Sequence, residues 1–479
     1  MISEKMLKLG KKSSVIREIF EYGKMRKAQI GAENVFDFSL GNPSVPAPQK
    51  VTDVMNKLIA ETPAEVLHGY TSAPGDMNVR NAIAEHIKNK FGVNANAGLI
   101  YMTCGAAASL TITLNAIVED GDEVVVFTPF FPEYRVFTEQ AGAKLVTVAC
   151  KQDDLQIDFD ALEKALNKNT KAVIINSPNN PSGVIIPEKD IIKLAELLKA
   201  KQNEYGKEIF LISDEPYREL VFTGEKVAYI PAYYDNSFVC YSYSKALSLP
   251  GERIGYIFVS PSMKDCGDVF AAVCGAGRAL GYVCAPSLMQ YTIAQCLDDT
   301  ADISIYEKNR KLLYDGLTDI GYTVIKPDGA FYMFVKSLEE DANKFYERGK
   351  KFELLLVPGD DFGCKGFVRV AYCVDTELIE RALPAFKQLF EDYKKEAGKA
   401  LEEATTFRKQ KEEELRKVEV LVNQKIRMNI SLEEHRNNGY ARECVKALLN
   451  ELKINNISKV YLWCEKVNVD FYNKLNFKN

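Results

Sequence analysis

The chain has 479 residues, 47% of them hydrophobic and 27% charged, and a formal net charge of -5. That length points to two or three domains with room for a large core, and the lack of a basic surplus excludes a nucleic-acid partner. No apolar run is long enough to span a bilayer and Met1 to Lys12 has no apolar leader core, so a cytoplasmic protein without a membrane partner is expected.

The eleven cysteines are scattered with no Cys-x-x-Cys pair, which reads as reduced, partly buried thiols. His68, His86 and His435 are too dispersed for a metal site. In chain order, an arm carries a helix around Ser14 to Lys27. Asp37-Phe-Ser39-Leu-Gly41-Asn42-Pro43 is a short strand ending in a turn, and Pro43, Pro46 and Pro48 keep the next stretch extended. Amphipathic helices over Val51 to Ala60 and Asn78 to Lys90 flank a loop at Gly69-Tyr70 to Gly75.

From Leu99 the chain alternates strand and helix. Strands are expected at Leu99 to Thr103, Val124 to Phe127, Leu145 to Val148, Ala172 to Asn176, Ile209 to Ser213 and Phe238 to Tyr243, the pattern of an α/β sandwich with a mostly parallel sheet. The glycines at 275, 277 and 281 have the wrong spacing for a dinucleotide loop. After about Cys284 the pattern changes to a smaller α+β domain. It has a long helical stretch (Leu288 to Ile320), strands at Thr323 to Ile325, Ala330 to Val335 and Phe367 to Tyr372, and a helix from Thr376 to Tyr393. Charge-dense sequence then reads as a solvated helical linker over 397–430, followed by a separate piece, 431–479.

Polar groups follow several of these strands. Gly105-Ala106-Ala107 is a small-residue turn opening a helix, suited to an anion or to a tight turn packed for its own sake. Asn180-Pro-Ser-Gly183 follows a second strand, as a projecting loop or a plain surface turn. Asp214 ends a third, with Tyr217 three residues on; a carboxylate there can hold a ring nitrogen protonated or cap a helix. Lys245 sits just past a buried strand, flanked by Ser242 and Arg253: an amine nucleophile beside phosphate-binding groups, or a solvated lysine. Arg369 lies in an apolar strand and needs an anion, from a substrate carboxylate or an internal salt bridge. Polar groups at several ends of one sheet converge on one crevice.

The stretch from 14 to 394 resembles a class I/II (fold-type I) pyridoxal 5'-phosphate-dependent aminotransferase. The motifs that carry it are Ser39-Leu-Gly41-Asn42-Pro43, Asn180-Pro-Ser-Gly183, Asp214-x-x-Tyr217, Ser242-x-x-Lys245, Arg253 and Arg369, in the family's order. The resemblance implies an arm (1–45) joining the small domain and a large cofactor-binding domain (46–285) on a mostly parallel seven-stranded sheet. A small domain (286–396) completes it. It implies that Lys245 forms the Schiff base and moves the proton, and that Asp214 holds the pyridine nitrogen. Asn180 and Tyr217 bind the ring oxygen, and Phe131 stacks on the ring. Gly105, Ala106, Ala107, Ser242 and Arg253 hold the phosphate, with Tyr70 reaching across a homodimer interface. Arg369 grips the substrate carboxylate, helped by Asn180 and Gly41.

The implied activity is transfer of an amino group from an L-amino acid to a 2-oxo acid such as 2-oxoglutarate by a ping-pong route. Some aspartate-specific relatives carry a lysine where this chain has Ala107, which weakens an aspartate reading; aspartate, aromatic and alanine donors all stay open. A carbon–sulfur β-lyase of the same fold and a non-catalytic cofactor-binding protein are the alternatives. The final segment resembles the second half of a GNAT acetyltransferase, in Arg436-x-x-Gly439-x-Ala441 and Tyr472. It lacks room for the first strands and has Asn476 where a glycine is usual, so a remnant or docking appendage is expected.

Overall fold

Runs of buried β-branched residues set the frame. The structure is a computed structural model that describes residues 2–11 and 15–430; the acetyltransferase-like segment lies outside the described residues. The strands in chain order are β1 (Phe36–Asp37), β2 (Ile100–Thr103), β3 (Glu123–Thr128), β4 (Lys144–Ala149), β5 (Thr170–Asn176), β6 (Phe210–Asp214), β7 (Ser237–Ser242), β8 (Gly255–Val259), β9 (Val324–Ile325), β10 (Tyr332–Lys336), β11 (Leu354–Leu355), β12 (Val357–Pro358) and β13 (Phe367–Ala371). Seven of them form the large sheet in the order β2-β8-β7-β6-β5-β3-β4. Only β8 runs antiparallel to its neighbours β2 and β7.

Alternate side chains of these strands enter two different cores, as the two-residue period of a strand dictates. Val124, Val126, Ile174 and Ile212 pack in one, with Ile112 and Leu114 of the helix Ala106–Ile117. Val125, Val173, Ile175 and Leu211 pack in the other, with Leu194 and Leu198 of the helix Glu188–Tyr205. Helices therefore cover both faces, the arrangement a mostly parallel sheet requires. Its polar strand ends, at Asn176, Asp214 and Ser242, open along one edge.

A four-stranded antiparallel sheet, β12-β13-β10-β9, carries a third core with Phe331, Phe334 and Val368. β1 pairs in parallel with β11. Arg26 with Glu353 and Lys27 with Asp37 fasten the preceding helix, Val15–Ile30, to that edge.

The fold is the expected α/β class, with a difference in detail. The helical stretch expected over Leu288 to Ile320 is two helices, Ser287–Ala294 and Ser304–Ile320. The chain between them is tied elsewhere: Asp298 lies 3.0 Å from His86, Asp299 2.6 Å from Lys50, and Ala301 N–H donates to the Ala246 carbonyl at 2.7 Å. The glycines at 275 and 277 lie inside the helix Cys266–Leu280, and Gly281 ends it in the left-handed conformation.

Met1–Lys394 forms one compact unit and Lys395–Asn479 a second. In the second, the described part belongs to the helix Thr376–Ile430, and between 395 and 421 no side chain is buried. Among the described residues no helix is long and apolar enough to cross a membrane, and no cluster of ligating side chains could hold a metal.

Candidate active site

Ser242, the last residue of β7, caps the four-residue helix Tyr243–Ala246 by accepting from the Ser244 N–H at 3.2 Å. That turn aims Lys245 away from solvent. Its Nζ donates to the Gly41 carbonyl at 2.8 Å and lies 5.4 Å from the Phe331 ring centre. Burial lowers the Lys245 pKa to about 8; the Cys373 side opposes this, and the Arg253 and Arg369 cations reinforce it.

Asp214 ends β6 and is 4% exposed. Tyr134 Oη donates to its Oδ2 at 2.6 Å, while Oδ1 is buried without a partner. Desolvation raises its pKa to about 7, with the Tyr134 hydrogen bond pulling down and the Glu215 charge pushing up. Asp214 caps no helix, which removes the plainer reading of it.

The Asn176 side chain at the end of β5 donates to the Asp214 carbonyl at 2.9 Å and accepts from the Asn180 N–H at 2.7 Å. Asn180 Oδ1 in turn accepts from Arg369 Nη1 at 3.1 Å. Arg369, on β13, also donates to the Ser39 carbonyl at 2.5 Å and lies over the Tyr332 ring. Its Nε is buried with no partner, and no carboxylate pairs with it among the described residues, so the internal salt bridge is not what holds it. The Tyr217 and Tyr332 hydroxyls meet at 3.0 Å, and burial pushes the Tyr217 phenol well above its ordinary range.

Gly105 has φ +90° and precedes the helix Ala106–Ile117, whose first N–H groups have no intrahelical acceptor. A Cβ at 105 would sit 2.8 Å from Arg253 Nη2, so glycine is what lets the guanidinium close on the turn. Arg253 Nη1 donates to Ser244 Oγ at 3.5 Å, and Ser242 Oγ donates to the same Ser244 Oγ at 2.8 Å. Phe131 packs edge-on against Tyr134, their ring centres 5.7 Å apart. Tyr70 is 98% exposed.

Four contributing side chains had no role in the sequence reading: Tyr134, Tyr332, Asn176 and Ser244. Tyr134 lies three residues past Phe131, in the first turn of the helix Glu133–Gln140, and its N–H donates to the Phe131 carbonyl at 3.0 Å. Ser244 separates two residues already singled out. Nothing local marks Tyr332, whose partners Tyr217 and Gly41 are remote in sequence.

The orphaned Asp214 Oδ1, the orphaned Arg369 Nε and the cation closed over a helix start are what a protonated pyridine, a carboxylate and a phosphate respectively require. Seven-stranded sheet and site together define a fold-type I pyridoxal phosphate enzyme.

Residues 33–386 match the family model described as aminotransferase class I and II. A solved amino transferase from Eubacterium rectale is 55% identical with a TM-score of 0.81, over 82% of this chain and 99% of that one. A probable aspartate aminotransferase of Methanocaldococcus jannaschii is 28% identical over 395 residues, 79% of this chain and 98% of the relative. Aromatic-amino-acid aminotransferase 2 of Thermococcus litoralis is 26% identical over 398 residues, 80% of this chain and 96% of the relative. The chain belongs to the class I and II aminotransferase family. It is an enzyme, its cofactor is pyridoxal 5'-phosphate, and its family uses amino and oxo acid substrates.

Proposed function

We propose that the protein moves an amino group from an L-amino acid of aspartate, aromatic or alanine type to a 2-oxo acid such as 2-oxoglutarate, in two half-reactions of a ping-pong cycle. The observation that carries this reading is the pair of buried, unpartnered groups, Asp214 Oδ1 and Arg369 Nε, in a site that also holds an amine whose pKa is lowered to about 8. Relatives named as aspartate and aromatic-amino-acid aminotransferases support the first two donor classes.

Bound in this site, pyridoxal phosphate supplies an electrophilic carbon for amines and an electron sink for the charge left at the substrate Cα. Lys245 Nζ, whose lowered pKa of about 8 leaves a share of it unprotonated near neutral pH, is the amine that would hold the cofactor and, when free, would carry the proton from the substrate Cα. Asp214 Oδ1 keeps the ring nitrogen protonated, while Tyr134 fixes Oδ2. Asn180 and Tyr217 bind the ring oxygen, and Phe131 covers the ring face. Gly105, Ala106 and Ala107 backbone groups, Ser242 and Arg253 hold the phosphate. Arg369 takes the substrate carboxylate, with Asn180 and Gly41 beside it; two parallel N–H donors give it a geometry that lysine lacks.

The exposure of Tyr70 supports a homodimer in which it reaches the partner's phosphate. The same reading keeps the arm, large and small domains at 1–45, 46–285 and 286–396, a cytoplasmic setting, and residues 431–479 as an appendage outside the reaction. A panel of amino donors with 2-oxoglutarate, following glutamate formation, tests it. Turnover with at least one of the three donor types is expected. Pyruvate and ammonia from cystathionine with no 2-oxo acid added would instead make the protein a β-lyase, and bound cofactor with no turnover would make it a binding protein.

A further inference from the structure

Two tyrosines remote in sequence meet at the site by their hydroxyls. Tyr217 lies three residues past the end of β6, and Tyr332 is the first residue of β10. β10 pairs with β13 so that Phe334 stands opposite Arg369, and Tyr332, two residues earlier, projects from the same face. Its ring is therefore a diagonal neighbour of the guanidinium, with 4.6 Å between ring centre and Cζ. Tyr217 stands edge-on to that ring and to Phe331, the centres 5.7 and 5.5 Å apart. Both tyrosines are buried.

The two hydroxyls, 3.0 Å apart, carry two hydrogens, and the bond between them uses one. Neither makes another hydrogen bond among the described residues, so one hydrogen is left over in a buried place, which is costly. Packing alone does not ask for a hydroxyl at 332. The Gly41 backbone closes on Tyr332 Oη so tightly that a Cβ there would run into it. The reading above supplies the missing acceptor, the ring oxygen placed at Tyr217. That fixes the direction of the pair: with the Tyr217 hydrogen turned to the ring oxygen, the Tyr217 oxygen is left to accept, and Tyr332 donates. Burial raises both phenols, Tyr217 further than Tyr332, and at Tyr332 the Arg369 cation is the largest influence opposing the rise, so Tyr332 is the readier donor.

We propose that Tyr332 is a positioning residue for the reaction: its hydroxyl donates to Tyr217, turns the Tyr217 hydroxyl onto the ring oxygen of the cofactor and strengthens it as a donor there. This deepens the functional reading and rests on the place that reading gives Tyr217. A hydroxyl that accepts one hydrogen bond donates the next more strongly. The Lys245 nitrogen, once joined to the cofactor, neighbours the ring oxygen by the cofactor's own covalent structure, and negative charge on that oxygen favours the protonated nitrogen. A hydrogen bond from Tyr217 draws on that charge and lowers the pH at which the nitrogen gives up its proton. Tyr332 adds to the lowering only through Tyr217. The charged and titratable groups facing the two tyrosines are Asp214, Arg369 and Cys373, and Arg253 also faces Lys245; removing a tyrosine hydroxyl replaces none of them.

Visible absorbance of the protein loaded with pyridoxal phosphate, followed against pH without substrate, reads that proton. Tyr217→Phe loses a hydrogen bond to a charged oxygen and is expected to raise the midpoint by about 1 pH unit or more. Tyr332→Phe keeps the ring beside Arg369 and should raise it by about 0.3 unit, the share that one bond of a chain lends the next. The double variant should match Tyr217→Phe, because Tyr332 has nothing left to act through. A wild-type midpoint in Tyr332→Phe beside a shifted one in Tyr217→Phe would overturn the role of Tyr332 and leave the functional reading standing. Shifts that add in the double variant would do the same. An unmoved midpoint in Tyr217→Phe, or a protein that takes up no cofactor, would overturn the place given to the ring oxygen, and the role of Tyr332 with it.

Discussion

At the scale of single residues, the chemistry turns on how burial is offset. Asp214 is desolvated enough to hold its proton up to about pH 7, and the Tyr134 hydrogen bond works against that. A raised carboxylate pKa favours the folded apo-protein fully below the ordinary carboxylate range, and that stability is lost as pH rises through about 7. Tyr134→Phe removes the bond that lowers the pKa, so the window should extend above about 7; Asp214→Asn should abolish it. Melting temperature of the apo-protein against pH, wild type minus Asp214→Asn, reads this directly. Because the carboxylate is then less often ionised at neutral pH, Tyr134→Phe should also weaken cofactor binding about tenfold, the scale of one hydrogen bond to a charged group. An unmoved window together with unchanged affinity would show that Tyr134 only fills space.

At the scale of elements, function sits where strands stop. β5, β6 and β7 each end a buried run on a polar side chain, Asn176, Asp214 and Ser242. That switch from apolar to polar is visible in sequence, which is why Asp214, Lys245 and Arg253 could be singled out before any coordinates. Tyr134, Tyr332 and the carbonyls of Ser39 and Gly41 could not. Their partners are far along the chain, and a backbone carbonyl has no residue-type signature. The break between Ser287–Ala294 and Ser304–Ile320 was hidden for the same reason, since the ties to His86, Lys50 and Ala246 are all distant. The phosphate turn is the element most open to a single test. Gly105→Ala meets both a φ of +90° and the Arg253 guanidinium, costing about 1–3 kcal/mol of backbone strain and displacing the cation. Cofactor affinity measured by fluorescence titration should fall ~10-fold or more on that scale of strain; unchanged affinity would place the phosphate elsewhere.

At the scale of the molecule, the two sheets meet through backbone and side chains alike: Gly183 O accepts from the Asp328 and Gly329 N–H groups and Leu220 O from the Ala330 N–H, each at 2.9 Å. Asn180 follows β5 of the large sheet, Arg369 lies on β13 of the small one, and their bond at 3.1 Å joins the end of the site proposed for the ring to the end proposed for the carboxylate. The compact unit Met1–Lys394 contains every one of these groups, and the family match lies within it. The central claim is that Lys245 is the residue joined to the cofactor while Asp214 serves its ring nitrogen. Borohydride reduction of the loaded enzyme, followed by peptide mass mapping, measures the first half of that without any assumption about substrate. The account predicts one phosphopyridoxyl group per chain, on Lys245, lost in Lys245→Ala; the group found on another lysine, or on none, would contradict it.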